Sequence, residues 1–469
     1  MFLALCAAES GLLFLLLSIY RGALKPDLSS FVSSPPGIVF VVSVVIILHS
    51  VWWMVYTFKT RGSSKTKYSM MAAGMNVLML FLLIASAEML FRSLSKDSEA
   101  GEALFGIVLC PRQWGAIVAR QHAVLDKTAA EGTYNIYDEH EGWTIALSYS
   151  NKSREEFSSR EGLRSPRPEV SFADSRSRYS GRAEQPASVR IALIRDSMTY
   201  GYEVRCEESW GHALKSHLQP SAQVLNFAVA AYRLNQVFLR YENEVRPWHP
   251  HIVILGVSSE MIRRINNIYP VLMNPGWAGF PFLRPRLMVT DGALTIINSP
   301  LPTPEEILTH STVSTLPYLN LDDYYIRSHW TRGGSWSLLE GSYIFRFLYS
   351  LRPPSDLGYE NRRENAVQSS QVVLQYLVRK ILNDGSTPPL VYFPYKREAT
   401  LPTKPGDENS PLLLRVLRNS GFQFLNPSSC LKDAEISAAY AKGGHYSPRG
   451  TTYIARCLFP VVEAAMKQL

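Results

Sequence analysis

"VRIALIRDSMTYGYEV", residues 189–204, is the stretch on which the fold turns. Val189 to Ile194 is a short apolar run with the composition of a buried strand, and Arg195, Asp196 and Ser197 break it sharply. Gly201 follows, where a tight turn needs freedom. Asp and Ser both favour turns, so alone the pair reads as turn chemistry. A serine presented at the end of a strand is the other reading, and the rest of the chain decides between them.

Outward from that point the pattern repeats. "EESWGHALKSHL" has helical spacing at Trp210, Ala213, Leu214 and Leu218, "AQVLNFAV" is a second strand, "RLNQVFLRYENEV" a helix and "HIVILGV" a third strand. "PLVYFPY" and "FQFLN" read as later strands around the helix "SPLLLRVLRNSG", and a last helix runs from Pro448. Strands separated by helices of this length imply a parallel sheet with right-handed crossovers. In such sheets the crevice lies beyond the carboxyl ends of the strands. Ser197, Ala231, residues 257–261 and the loop at His445 all fall on that edge.

The amino-terminal part is of another kind. "MFLALCAAESGLLFLLLSIY", "GIVFVVSVVIILHSVWWMVY" and "MNVLMLFLLIASAEMLFRSL" are each long and apolar enough to cross a bilayer. Glu9 and Glu88 lie near span ends and read as interfacial carboxylates. The loop "KTRGSSKTK" is basic with no acid, which places it in the cytoplasm and everything after Arg92 outside, periplasmic in a bacterium. Expected organisation is therefore a membrane anchor over residues 1–94, a linker and lead-in over 95–187, and an α/β domain over 188–469 with an insertion at about 265–385.

Bulk properties narrow the function. A chain of 469 residues with 46% hydrophobic and 19% charged residues is globular, and its net charge of +8 is scattered instead of gathered on one face, so no nucleic-acid partner is expected. The five cysteines form no CxxC pair. A disulfide among the last four is compatible with an oxidising compartment, but spacing does not assign it. His249 and His251 flank Pro250 without a third ligand at suitable spacing, and no nucleotide loop appears, so neither metal nor cofactor is expected.

Taken in order, these segments resemble the SGNH/GDSL hydrolase superfamily over about residues 134–469. "IRDSMTYGYEVRCEESWGHAL" is similar to its first block, "VLNFAVAAYRLNQ" to its second, "HIVILGVSSEM" to the third and "GGHYSPRGTTYIA" to the last. "YDEHEGWTIALS" and "EGLRSPRP" resemble the lead-in of membrane-anchored relatives found with bacterial surface-polysaccharide systems. The resemblance implies an SGNH-like three-layer α/β/α sandwich with a parallel sheet, preceded by three transmembrane helices. It also implies Ser197 as nucleophile, His445 as base, and the N–H groups of Ser197 and Ala231 as oxyanion donors.

Four positions depart from the family's pattern. Arg195 stands in place of a glycine, where its side chain would cover the crevice or meet an anionic substrate. Ala231 replaces a second-block glycine, at about 1 kcal/mol or more if φ is positive there. The third-block asparagine is absent, with Ser258 or Ser259 as stand-ins and Asn235, Asn266 and Asn267 as other amides nearby. Lys442 occupies the aspartate position three residues before His445, which leaves Asp433 as the nearest upstream acid or a Ser–His dyad. Asp196 reads as a structural turn residue. Arg263 and Arg264 read as substrate contacts or a solvated helix face, and "NIYPVLMNPGWAGFPFLRPR" as a sugar-stacking wall or packing under a lid.

The expected function is that of a membrane-anchored serine esterase acting on O-acyl groups of an extracytoplasmic glycan. An O-acyltransferase working on exopolysaccharide with a membrane acyl-transfer or polysaccharide-export partner is the first alternative. A catalytically inactive glycan-binding or assembly scaffold, favoured by Arg195, Met261 and Lys442, is the second.

Overall fold

The computed structural model describes residues 65–98, 101–151, 155–172, 189–218, 222–275, 282–331, 336–351, 359–399, 411–430 and 433–469. The chain divides into two compact units, one built from residues 1–114 with 327–354 and the other from 115–326 with 355–469. The first two expected membrane spans lie outside the described residues. The third lies in a helix, Lys65–Leu94, whose segment Gly74–Leu94 is long and apolar enough to cross a membrane. Phe81 and Met89 on it are exposed, as lipid-facing side chains would be.

In this first unit the helix is followed by a small antiparallel sheet over residues 96–108, and the short helix Tyr343–Ser350 belongs to the same unit. Glu88 is not a free interfacial carboxylate. It accepts hydrogen bonds from the backbone N–H groups of Tyr343 (2.7 Å) and Ile344 (3.1 Å) and from Ser342 Oγ (2.9 Å). An acid there answers the open N–H groups and positive end of the Tyr343–Ser350 helix. Residues 327–354, inside the expected insertion, thus group with the first unit.

The second unit is built on four parallel strands: β1 (Val189–Ile194), β2 (Ala222–Asn226), β3 (Ile252–Val257) and β4 (Leu390–Tyr392). They lie in the order β2-β1-β3-β4, all parallel. The expected last strand contributes one bridge, Val391 to Leu425. The helices used below are α1 (Ser197–Tyr200), α2 (Trp210–Leu218), α3 (Leu234–Arg240), α4 (Tyr359–Asn383), α5 (Leu412–Asn419) and α6 (Pro448–Met466).

Side chains alternate across a strand, and the two faces of this sheet hold separate cores. Ala192, Ile194, Leu225, Val253 and Leu255 face Leu234, Leu374, Leu377 and Leu417 of α3, α4 and α5. Ile191, Leu193, Val224 and Ile254 face Trp210 and Leu214 of α2 and Ile454 and Leu458 of α6. Helices therefore cover the sheet on both sides. Fully burying each of these large apolar side chains stabilises by about 1.5–3 kcal/mol.

Two parts differ from expectation. The stretch expected as a linker contains the helix Trp114–Glu131 and the hairpin of Asn135–Asp138 with Gly142–Ile145, and Trp143, Ile145 and Leu163 join the first core. It is part of the fold, because its apolar residues complete that core. The carboxyl end of the expected insertion is α4, in the crossover from β3 to β4. Cys430 and Cys457 are joined in a disulfide that ties the segment before Asp433 to α6, with Cα atoms 6.0 Å apart.

Candidate active site

Ser197 opens α1 directly beyond β1, and the turn is held by its neighbours. Asp196 caps the helix, accepting from Met198 N–H at 3.1 Å, and also accepts from Ser258 Oγ at 3.3 Å. Gly201 closes the helix in the left-handed conformation (φ 82°). Asp196, Met198, Thr199 and Tyr200 are buried while Ser197 is only half-buried, so the serine is the residue of this turn that a substrate can reach.

Ser197 Oγ lies 2.8 Å from His445 Nε2, across 248 residues of chain. On the other side of the ring, His445 Nδ1 lies 3.0 Å from Glu203 Oε2. The same carboxylate accepts from the backbone N–H of Gly443 (2.8 Å) and of His445 itself (3.0 Å). Burial pushes the Glu203 carboxyl up, but the backbone N–H groups of His445 and Gly443 and the imidazole outweigh it and hold it below its ordinary range. A carboxylate so held fixes Nδ1 as the protonated nitrogen and leaves Nε2 to accept from the serine.

Glu203 takes the place that the sequence reading offered to Asp433 or left empty in a Ser–His dyad. Asp433 opens the short helix Asp433–Ala438, and the place beside Nδ1 is taken by Glu203. Lys442, at the pattern's aspartate position, is exposed. The acid comes six residues after the nucleophile instead of three before the histidine, so a search of the His445 block cannot find it. One signal was present, the Gly443-Gly444 pair. A Cβ on Gly443 would fall 2.6 Å from Glu203 Oε1, so only glycine lets the carboxylate approach.

A second unrecognised contributor is Arg164, from the lead-in "EGLRSPRP". Its buried guanidinium donates to the carbonyls of Tyr200 (2.7 Å), Gly201 (2.8 Å) and Val204 (2.5 Å) and stacks on the Tyr200 ring at 4.1 Å. It thereby pins both ends of the segment that carries Glu203. Tyr202, exposed on that segment, lies with its ring 5.3 Å from the His445 ring.

The other expected site residues scatter. Arg195 does not cover the crevice or face an open substrate site: its side chain is fully buried, with Nε 3.2 Å from Asp196 Oδ1 and the guanidinium 4.7 Å over the Phe393 ring. Gly256 on β3 makes room for it, since a Cβ there would lie 2.4 Å from Arg195 Cδ. The glycine of the pattern has in effect moved to the next strand. Ser259 does not replace the missing amide; its Oγ accepts from Leu413 N–H at 3.4 Å, turned toward α5. Asn235 donates to the carbonyls of Ile265 and Pro285, Asn266 to Asp323 and Asn267 to Tyr269 O and Asp322, so all three are structural. Tyr269, Leu272, Phe282 and Leu283 of the aromatic-rich stretch are buried, which favours packing over a sugar wall for that part.

Ala231 has φ 63°, the strained left-handed region. Its loop is held from the lead-in, where Trp143 Nε1 donates to Ala230 O at 3.3 Å. Among the described residues neither Ser197 N–H nor Ala231 N–H makes a hydrogen bond, so both remain available as donors.

No family model matches this chain, and no curated protein matches it. Solved structures similar to it include the psychrotrophic esterase EstA from a Pseudoalteromonas species, at 11% identity over 60% of this chain and 100% of that one, with a TM-score of 0.30. A GDSL-like lipase from Bacteroides thetaiotaomicron VPI-5482 is similar at 9% identity over 64% of this chain and 97% of that one, also with a TM-score of 0.30. Likeness at this level assigns no chemistry.

Proposed function

We propose that this chain is a membrane-anchored serine esterase that removes O-acyl groups from a glycan outside the cytoplasm. The observation that carries the reading is the continuous relay Ser197 Oγ, His445 Nε2, His445 Nδ1, Glu203. Ser197 Oγ attacks the ester carbonyl carbon as its proton passes to Nε2, and the imidazolium is stabilised by the Glu203 carboxylate. The tetrahedral oxyanion is received by the N–H groups of Ser197 and Ala231, each such donor lowering the barrier by about 3–4 kcal/mol. Collapse breaks the ester bond, the alcohol leaves with the proton from Nε2, and the acyl group stays on Ser197. Water, deprotonated by the same imidazole, then releases the acid and restores the serine.

The extracytoplasmic setting draws support from the basic loop ahead of Lys65 and from the Cys430–Cys457 disulfide, a bond that persists in oxidising compartments. Of the three positions that favour the scaffold reading, Lys442 is offset by Glu203 beside His445 Nδ1, while Met261 still supplies no amide. An acyltransferase would share every step to the acyl-enzyme and differ only in the acceptor.

Labelling with a serine-directed fluorophosphonate tests the proposal. Wild type is expected to label and Ser197→Ala to stay unlabelled, with aryl acetate hydrolysis lost in parallel. An unlabelled wild type, or equal labelling of the two, overturns it. Mass spectrometry of products with and without an acetylated oligosaccharide then separates release to water from transfer to sugar.

A further inference from the structure

The loop that carries Ala231 is fastened on two sides. Toward the nucleophile, Val229 N–H donates to Arg195 O at 3.1 Å and Asn226 Nδ2 donates to Thr199 O at 3.0 Å. These acceptors stand two residues before Ser197 and two after it, so the loop lies along the turn that presents the serine. Its other side meets the lead-in hairpin, which holds the residues immediately before and after Ala231.

Trp143 Nε1 donates to Ala230 O at 3.3 Å. The Tyr232 hydroxyl shares its proton between Glu141 Oε2 at 2.7 Å and Trp143 O at 2.5 Å, and its ring meets the Trp143 indole edge-on at 5.6 Å. Glu141 is anchored in turn: its carbonyl accepts from Gln236 Nε2 at 2.8 Å, and its carboxylate lies 3.8 Å from Arg240 Nη1. Glu141, Trp143 and Tyr232 are all buried, and hydrogen bonds in so dry a place are stronger than in water.

Between these two anchors Ala231 has φ 63°. Alanine disfavours that region by about tenfold against its ordinary backbone conformations, so an unbraced loop would leave it. Leaving it turns the peptide and re-aims the N–H, and an oxyanion donor works only while its direction is fixed.

We propose that Glu141 and Trp143, acting through Tyr232 and Ala230, are positioning residues that keep Ala231 left-handed and its N–H aimed at the oxyanion. This rests on the esterase reading, with Ala231 as a donor, and it makes the lead-in hairpin a working part of that site. The oxyanion exists in the transition state and not in the bound ester, so the brace acts on kcat and leaves KM alone.

A double-mutant cycle between Tyr232→Phe and Ala231→Gly in the full chain tests this. Tyr232→Phe keeps the ring and removes the hydroxyl. With Ala231 in place it is expected to lower kcat for an aryl acetate, and the rate of fluorophosphonate labelling, about tenfold with KM unchanged. Glycine takes positive φ as readily as negative, so on the Ala231→Gly background the same change should cost no more than about twofold. Equal losses on the two backgrounds, or a raised KM with kcat unchanged, mark a merely structural hydroxyl and overturn the proposal. Hydrogen exchange over residues 227–233, read by mass spectrometry, needs no turnover: Tyr232→Phe is expected to speed it, and unchanged exchange overturns the brace as well. The two readings fail separately. An unlabelled wild type whose exchange still responds to Tyr232→Phe removes the esterase alone, and a labelled wild type indifferent to Tyr232→Phe in kcat and exchange removes the brace alone.

Discussion

Glu203→Gln is the most searching perturbation of the site. In wild type Oε2 accepts from two N–H groups, the His445 backbone and Nδ1, while Oε1 accepts from Gly443 N–H. Glutamine has one oxygen for these three donors. With the oxygen toward Gly443, its NH2 group faces two N–H groups. Relief comes by moving the ring proton to Nε2, where it blocks acceptance from Ser197. With the oxygen toward His445, the NH2 group opposes Gly443 N–H, and the loss of charge leaves the imidazolium unsupported. Replacing the orienting acid of a serine triad by its amide costs kcat about 10⁴-fold, or roughly 5.4 kcal/mol of barrier. A reduction of that order is expected in the rate of fluorophosphonate labelling and in turnover of an aryl acetate, with KM little changed. Asp433→Asn, at the nearest upstream acid that sequence alone offers, is the control and should leave both rates near wild type. Labelling of Glu203→Gln within a few-fold of wild type would refute the assignment, and loss in Asp433→Asn instead would restore the earlier reading.

Gly443→Ala should act on the same bond from the other side, because its Cβ displaces a carboxylate oxygen 2.6 Å away; turnover is expected to fall about 10²-fold, with a far-UV spectrum like wild type. Ala231→Gly should stabilise the protein by about 1 kcal/mol in chemical denaturation, since φ 63° suits glycine better than alanine. The pH dependence of stability follows from Glu203. Its folded carboxyl titrates below its ordinary 4.5, so it contributes stability above 4.5 that is lost as pH falls through the lower folded value. Denaturation curves of wild type and Glu203→Gln should accordingly differ at neutral pH and converge in acid.

The parts that follow local rules were legible in the sequence. Alternating apolar runs gave β1 to β4 their places, and Ser197 and His445 fall on one edge because every parallel strand ends there. What was not legible depends on contacts between distant segments. Glu203 was quoted within the deciding stretch, yet nothing local joins it to a histidine 242 residues away. Arg195 looked exposed because it stands in a polar turn, and only Gly256 on the neighbouring strand reveals the space that buries it. The helix α4 was passed over because its first turns are charged, although Ala366, Val367, Leu374 and Ile381 mark its buried face. The first two membrane spans and their orientation lie outside the described residues.

The Arg164 clamp bears on how much chain the chemistry requires. Excising the sheet at Val189 looks natural, since the first strand of the sheet begins there, but that cut discards the three carbonyl contacts that brace the Glu203 segment. Such a truncated fragment would keep Ser197 and His445 while its acid drifts, and so mimic a dead enzyme. Soluble versions should begin upstream of Tyr134, whose ring packs against Tyr200 at 5.5 Å.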